Sequence, residues 1–241
     1  FQGGSPGGGA DTLAALPLQP ANINAALRSV AVAQPSVGRG AYAIVGKRVL
    51  DVLLVLLSLP VVLPLIAVCA VALWIESGRP LYTQPRLGRG GRSFQILKLR
   101  TMVRDADQLL QHYLRTDPAL RQEWEQTQKL KDDPRITPVG RVLRATSLDE
   151  LPQLWNVLTG DMSLVGPRPM MPDQLSLYGN AHAYFALRPG ITGIWQVSVR
   201  NEAGFSSRVQ ADTEYLKSLT FGRDVSLIWR TLGVVVKGTG Y

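Results

Sequence analysis

Residues 52–75 read VLLVLLSLPVVLPLIAVCAVALWI, twenty-four positions without a charge. About twenty apolar residues suffice to cross a bilayer, so the run qualifies by length as a membrane helix. Its internal position and the lack of a small-residue cleavage pattern separate it from a signal peptide. Basic residues flank both ends, Lys47 and Arg48 before it and Arg79, Arg86, Arg89 and Arg92 after it. Positively charged loops stay on the cytoplasmic side, so a simple span satisfies only one flank. Pro60 and Pro64 each remove a backbone donor and bend a helix, and Ser58 is placed to satisfy a freed carbonyl. The sequence favours a helix over residues 46–78 that enters and returns on one membrane face. A kinked spanning helix is the alternative.

The basic residues continue past the helix. Seven lie between Arg79 and Arg104 with no acidic residue among them, a collar suited to anionic phospholipid headgroups. An ordinary solvated hairpin explains several of them equally well. GRPLYTQPRLGRGGRSFQILKLRTM alternates like two short strands around a GRGG turn. Lys98 and Arg100, two apart on one strand, share a face and can converge on one phosphate. The net charge of +8 fits an anionic partner such as nucleic acid, an acidic membrane or a phosphorylated substrate. The single cysteine, Cys69, excludes an internal disulfide and reads as packing within the apolar run. His112 and His182 without nearby cysteines argue against zinc.

Residues 1–9, FQGGSPGGG, read as a cleavage-site scar and linker. Residues 10–45, rich in Ala, Pro, Gln and Ser without a sustained period, read as a poorly ordered arm whose one candidate helix runs from Asn24 to Val32. DADQLLQHYLRTDPALRQEWEQTQKL is helical in period and interrupted near Asp117-Pro118, as a surface or interfacial helix pair would be.

TSLDELPQLWNVLTGDMSLVGPRP, residues 146–169, sets Asp149 beside Glu150, with Arg144 and Arg168 nearby. Adjacent like charges repel, so a purely structural segment gains little from them, whereas a site handling metal-bound phosphate can use both. Ser147 and Glu150 have capping-box spacing. In that register Pro152 falls inside the helix, while Asp149 as N-cap leaves Pro152 in the first turn, where it is tolerated. At a helix start Asp149 would be held ionised by the dipole and free backbone N–H groups, beside a natural phosphate site. An ionised aspartate can attack phosphorus and can bind Mg²⁺. Pro167 and Pro169 restrict the backbone around Arg168, which favours a fixed guanidinium.

KRVLD, the proline-broken apolar helix, QILKLRTM, RATSLDELPQLWNVLTGDMSLVGPRP and RPGITGIWQVSVRN, in that order, resemble the bacterial sugar transferases. These are the monotopic polyprenyl-phosphate phosphoglycosyl transferases that begin exopolysaccharide, O-antigen and glycoprotein glycan assembly. The resemblance covers roughly residues 46–241. It implies transfer of a sugar 1-phosphate from a nucleoside diphosphate sugar, by expectation uridine diphosphate glucose or galactose, to polyprenyl phosphate. Nucleoside monophosphate is released. By motif match Asp149 is the nucleophile of a covalent, Mg²⁺-dependent ping-pong cycle, and Glu150 assists with metal or proton. Lys98, Arg144 and Arg168 match positions around the phosphates. Arg188 and Arg200 are candidates for nucleotide or phosphate contact, although ordinary hairpin and loop roles account for them as well. Asp212, ahead of Tyr215, matches a further acidic position. The family's Ser-Pro hinge, counted from Asp51, lands on Pro64, but Leu63 precedes it, with Ser58 and Pro60 one turn earlier. The resemblance implies extra membrane helices in larger relatives, and nothing like them is expected before residue 46 here. LIWRTLGVVVKGTGY, with Trp229, Arg230 and Lys237, reads as an interfacial amphipathic segment.

A nucleic-acid-binding membrane protein would use the basic stretch but leaves LDELPQLWNV and GPRP unexplained, so no nucleic acid partner is expected. A non-catalytic scaffold of the same fold is disfavoured by the intact Asp149–Glu150 pair. The expected class is α+β, mostly helical: a re-entrant membrane helix, then a compact catalytic domain over residues 79–241. That domain carries a short β-hairpin and interfacial amphipathic helices on the cytoplasmic face of the bacterial inner membrane. A homodimer is left open.

Overall fold

A computed structural model describes residues 40–127, 130–198 and 205–236. The fold is mostly helical. One π-helical turn, Tyr42–Gly46, runs without a break into α1, Lys47–Ser77, so the helical path starts just inside the segment read as a poorly ordered arm. Gly78, with φ 76°, ends α1 by returning its N–H to the Trp74 carbonyl at 2.8 Å, the left-handed stop that glycine allows without steric cost. Pro60 and Pro64 lie inside α1 and free the carbonyls of Leu56 and Pro60. Ser58 satisfies neither of them: its hydroxyl donates to Val55 at 2.8 Å, because a serine on a helix reaches only the carbonyl three or four residues back.

Both ends of α1 are fastened to the rest of the chain. The hairpin β1 (Leu81–Leu87) and β2 (Ser93–Leu99) pairs antiparallel with Tyr82 opposite Lys98, and left-handed Gly90 and Gly91 make the turn that GRGG predicts. After the pair α2 (Ala106–Thr116) and α3 (Pro118–Thr127) come α4 (Pro138–Ala145) and α5 (Gln153–Thr159). Near its start α1 packs Val55 against Phe94, Ile96, Val157 and Met162. Arg48 donates to the last carbonyls of α5, Val157 and Leu158, where cations offset the negative end of the helix dipole. At the other end, Cys69 and Leu73 pack on Leu99 and Leu143, and Glu76 accepts from the Val139 N–H at 3.1 Å. Between these anchors, residues 56–68 contain no buried position, and Leu57 and Val61 are 78% and 73% exposed. A 36-residue helical segment, Tyr42–Ser77, is long and apolar enough to cross a membrane.

Asn156 ties α5 to the hairpin by accepting from the Leu97 N–H at 2.9 Å and donating to the Gln95 carbonyl at 2.8 Å. It thereby pairs a strand edge as another strand would. A second, parallel pair, absent from the sequence reading, joins β3 (Ser163–Val165) to β4 (Gly190–Thr192). Beyond β3 lie the short helices α6 (Leu175–Tyr178) and α7 (His182–Ala186), and beyond β4 come α8 (Ile194–Ser198), α9 (Phe205–Ser218) and α10 (Phe221–Val236). Buried Asp224 of α10 accepts from Tyr215 and Tyr42 at 2.6 Å each and pairs with Lys47 at 2.7 Å. Asp51 accepts from the Ser163 hydroxyl at 2.7 Å and the Leu164 N–H at 3.1 Å. These buried carboxylates, each satisfied by several donors, dock the start of α1 onto β3 and α10.

Gly166 and Gly190 meet where the GPRP and RPGITG segments cross. A Cβ on Gly190 would stand 2.1 Å from the Gly166 nitrogen and 2.5 Å from the Thr192 carbonyl oxygen. Backbone cannot rotate away as a side chain can. Gly190→Ala is expected to destabilise the chain by about 1–3 kcal/mol, lowering Tm by roughly 2–12 °C. Thermal unfolding measures this, and an unchanged Tm would mean the crossing is looser than described.

Candidate active site

Period-two alternation places Lys98 on the face of β2 that carries buried Phe94 and Ile96, so its amine points at the corner between α4 and α5 rather than at solvent. That corner holds the acidic pair. Ser147 takes a left-handed conformation (φ 57°), the only non-glycine among the described residues to do so, a strained geometry that needs support from its surroundings. Leu148–Glu150 then forms a single 3₁₀ turn, and Pro152 occupies the cap position of α5 with no side-chain cap from Ser147. Neither capping register expected from the sequence is realised. Pro152 has no N–H to give and sits where α5 starts, so the acidic pair lies a turn ahead of the helix.

Lys98 Nζ stands 2.8 Å from Glu150 Oε1, and Arg168 Nη2 lies 3.8 Å from the same oxygen. Arg144 donates through Nε to the Thr101 hydroxyl at 2.8 Å, and its charge acts on Asp149. The Asp149 carboxyl is pushed up to about 6, first by burial, with Lys98 drawing it down, Glu150 raising it and Arg144 drawing it down again. The helix-dipole stabilisation expected at this position is therefore replaced by desolvation, held in check by two cations. A cleft opens beside the pair, lined by Arg86, Lys98, Glu150, Gln153, Arg168 and Ile191 among others.

The structure brings Lys98, Arg144, Asp149, Glu150 and Arg168 together. Arg100, just past β2, lies over the Tyr82 ring at 5.3 Å. Arg188 donates to the Gly160 carbonyl at 3.0 Å, behind α5. Arg200 and Lys237 lie outside the described residues. Of three residues that the sequence reading did not place here, Arg86 lines the cleft, and Trp195 and Arg208 adjoin Arg168. Arg86, read there only as part of the collar, donates to Pro169 at 3.2 Å. Trp195 lies under Arg168 and, at 4.3 Å, under Arg208.

Asp212 of α9 is buried and accepts from the Tyr178 hydroxyl. Burial pushes its carboxyl up to about 8. The folded chain therefore keeps a proton that the unfolded chain releases near pH ~4. In the window from there to about 8 the folded state binds more protons, so stability falls as pH rises through it. Asp212→Asn should flatten that slope and raise Tm at pH 8 above that of the unsubstituted chain. A Tm series from pH 5 to 8 tests this, and parallel slopes would show that Asp212 does not titrate there.

A divalent cation is the group most in keeping with this donor set. Among the described residues no three His, Cys, Asp or Glu side chains cluster, which leaves the adjacent carboxylates of Asp149 and Glu150. Mg²⁺ is commonly held by one or two carboxylates together with substrate phosphates and water, so two carboxylates beside a cleft lined by Arg86, Lys98 and Arg168 fit it.

Residues 42–238 match the model of the family described as bacterial sugar transferase. The chain is 45% identical over 195 residues to the UDP-galactose-lipid carrier transferase of Erwinia amylovora, covering 80% of this chain and 41% of that protein. It is 43% identical over 195 residues to the undecaprenyl-phosphate galactose phosphotransferase of Salmonella typhimurium, again 80% of this chain and 41% of the relative. The exopolysaccharide production protein ExoY of Sinorhizobium fredii is 42% identical over 198 residues, 81% of this chain and 88% of its own length. The chain thus spans under half of some relatives and most of another. The match takes in α1, the hairpin, the acidic corner and both crossing glycine segments, and the chain belongs to the bacterial sugar transferase family.

Proposed function

We propose that this chain is a phosphoglycosyl transferase. It moves a sugar 1-phosphate from a nucleoside diphosphate sugar, a uridine diphosphate hexose, to undecaprenyl phosphate and releases the nucleoside monophosphate. The reaction would be the first membrane step of exopolysaccharide or related glycan assembly. The observation that carries the reading is a half-buried, desolvated carboxylate, Asp149, set in a strained turn with Lys98 and Arg144 acting on it and Arg168 beside its neighbour Glu150. The named activities of the Erwinia and Salmonella relatives support it.

Asp149 attacks the sugar-bearing phosphorus. The new O–P bond forms as the bond to the bridging oxygen breaks, and the electron pair leaves with the nucleoside monophosphate. Lys98 and Arg144 balance the charge of the phosphate at Asp149, and Arg168 orients it with a two-pronged guanidinium. Asp149 and Glu150 would hold Mg²⁺, which would supply neutralisation of phosphate charge when bound. Splitting the transfer in two lets the soluble donor leave before the lipid arrives. Release of monophosphate from a panel of uridine diphosphate hexoses, with and without Mg²⁺, tests the assignment. Release from none of them would overturn it.

The same reading places the chain on one membrane face. Both ends of α1 are held by one domain, Asp51 by Ser163 and Glu76 by Val139, while the apolar middle is bare. A re-entrant helix meets both conditions, and a span would carry one set of contacts across the bilayer. The stripe Phe221, Val225, Trp229 and Leu232, exposed on α10, would lie in the interface, with the basic collar against anionic headgroups. In a Cys69→Ala background, Val45→Cys and Arg79→Cys should both react with an impermeant maleimide in inside-out vesicles only. Labelling from opposite sides would establish a span.

A further inference from the structure

Arg144 answers to two carboxylates. Of the charges acting on its guanidinium, Asp149 in the acidic corner is the strongest and Asp133 the next, followed by Arg135 and Glu150. Asp133 and Arg135 belong to the loop before α4 and do not line the cleft. Arg135 closes a fork on Asp133, donating through Nε to Oδ1 at 2.8 Å and through Nη2 to Oδ2 at 2.6 Å. Its backbone N–H adds a third bond to Oδ1 at 3.0 Å. Both residues are buried, and the Arg135 guanidinium lies over the Trp124 ring, 5.5 Å from its centroid. Burial works against the Asp133 charge, but these bonds hold its carboxyl below the usual carboxylate range.

The same loop reaches Arg144 through the backbone. Arg144 donates through Nε to the Thr101 hydroxyl at 2.8 Å. The Thr101 carbonyl accepts from the Thr137 N–H at 3.1 Å, and the Arg135 carbonyl accepts from the Val103 N–H at 3.0 Å. Residues 101–103 and 135–137 therefore lie edge to edge, with Met102 opposite Ile136. The fork occupies both Asp133 oxygens. Without Arg135, Asp133 would be a buried carboxylate lacking its counter-ion, a costly state that the nearest cation relieves. Arg144 is the other cation that acts on it.

We propose that Arg135 is a positioning residue for the transfer: by closing the fork on Asp133 it keeps the guanidinium of Arg144 committed to Asp149. Its effect on rate rests on the phosphoglycosyl transferase reading, whereas the competition of two carboxylates for Arg144 does not. The two partners of the fork have unequal consequences. Loss of Arg135 leaves a carboxylate that draws Arg144 away from Asp149. Loss of the Asp133 charge removes the competitor, so Arg144 stays where it is even as the loop loses a contact.

Monophosphate release with nucleotide sugar and lipid reads the rate, and thermal unfolding of the full chain without substrate reads stability. Arg135→Gln should lower kcat about ten- to thirty-fold with the donor KM nearly unchanged, as for an interaction made in the transition state. In an Arg144→Ala background the same substitution should cost nothing further in rate, since the group it acts through is gone. Asp133→Asn, alone or combined with Arg135→Gln, should keep most of the rate even where Tm falls. Where Arg135→Gln does not fold, Arg135→Lys is read in the same way: a point charge loosens the fork, giving a smaller loss that again vanishes with Arg144→Ala. A rate that falls in parallel with Tm whichever partner is removed, or falls equally with and without Arg144, would overturn the proposal. The competition is read without turnover, from the Tm losses of Asp133→Asn and Arg144→Ala taken singly and together. Their departure from additivity should grow when Arg135 is replaced, and an unchanged departure would overturn the positioning role. Absence of monophosphate release from the unsubstituted chain would count against the transferase reading alone.

Discussion

Asp149→Asn is expected to abolish turnover and covalent labelling together. With nucleotide sugar and Mg²⁺ but no lipid, the unsubstituted chain should release up to one equivalent of nucleoside monophosphate. It should also gain the mass of one sugar phosphate on the peptide containing Asp149. An amide is a poor nucleophile and a weak metal ligand, so the variant should show neither event. Glu150→Gln should behave differently. Glu150 is held by Lys98 at 2.8 Å and lies 3.8 Å from Arg168. Loss of its charge should release both cations from it and remove a proposed metal ligand, slowing turnover while the proposed nucleophile, Asp149, remains in place to form the adduct. Substantial turnover in Asp149→Asn, or no monophosphate without lipid, would replace the covalent route with direct displacement.

The corner to which this chemistry is assigned was legible in the sequence as residue types and only in part as geometry. The acidic pair, Lys98 and both arginines are short-range motifs, and period-two alternation in β2 put Lys98 and Arg100 on one face without telling what that face meets. The shape of the turn depends on Ser147 leaving the ordinary helical region, and no propensity predicts that for serine. The ionisation of Asp149 depends on its burial, which sequence does not reveal. The apolar helix, the hairpin and the break at Asp117-Pro118 declare themselves by local periodicity. The parallel pair of β3 and β4 does not, because its strands have three residues each and depend on two glycines whose backbones nearly touch. The position of Arg208 is likewise tertiary: α9 presents it to Trp195, and its helical period alone does not.

Arg144→Ala and Arg168→Ala should each slow transfer, by different routes. Arg144 is anchored on Thr101 at 2.8 Å and helps hold Asp149 ionised against burial. Arg168 is fixed by its two flanking prolines, lies against Trp195 and is 39% exposed at the mouth of the cleft. It can therefore grip a phosphate with both prongs. On the proposed mechanism, removing either takes away a charge-assisted contact made to developing phosphate charge. The expected cost is about 2–4 kcal/mol of transition-state stabilisation, or roughly thirty- to a thousand-fold in rate. Replacement by lysine separates the roles. At position 144 a cation of any shape still favours the ionised carboxylate, so Arg144→Lys should recover most of the rate. At position 168 the fork itself is needed, so Arg168→Lys should recover only part. Rates with saturating donor and lipid, measured by monophosphate release, decide the matter. Near-normal turnover in Arg168→Ala would remove that residue from the phosphate site.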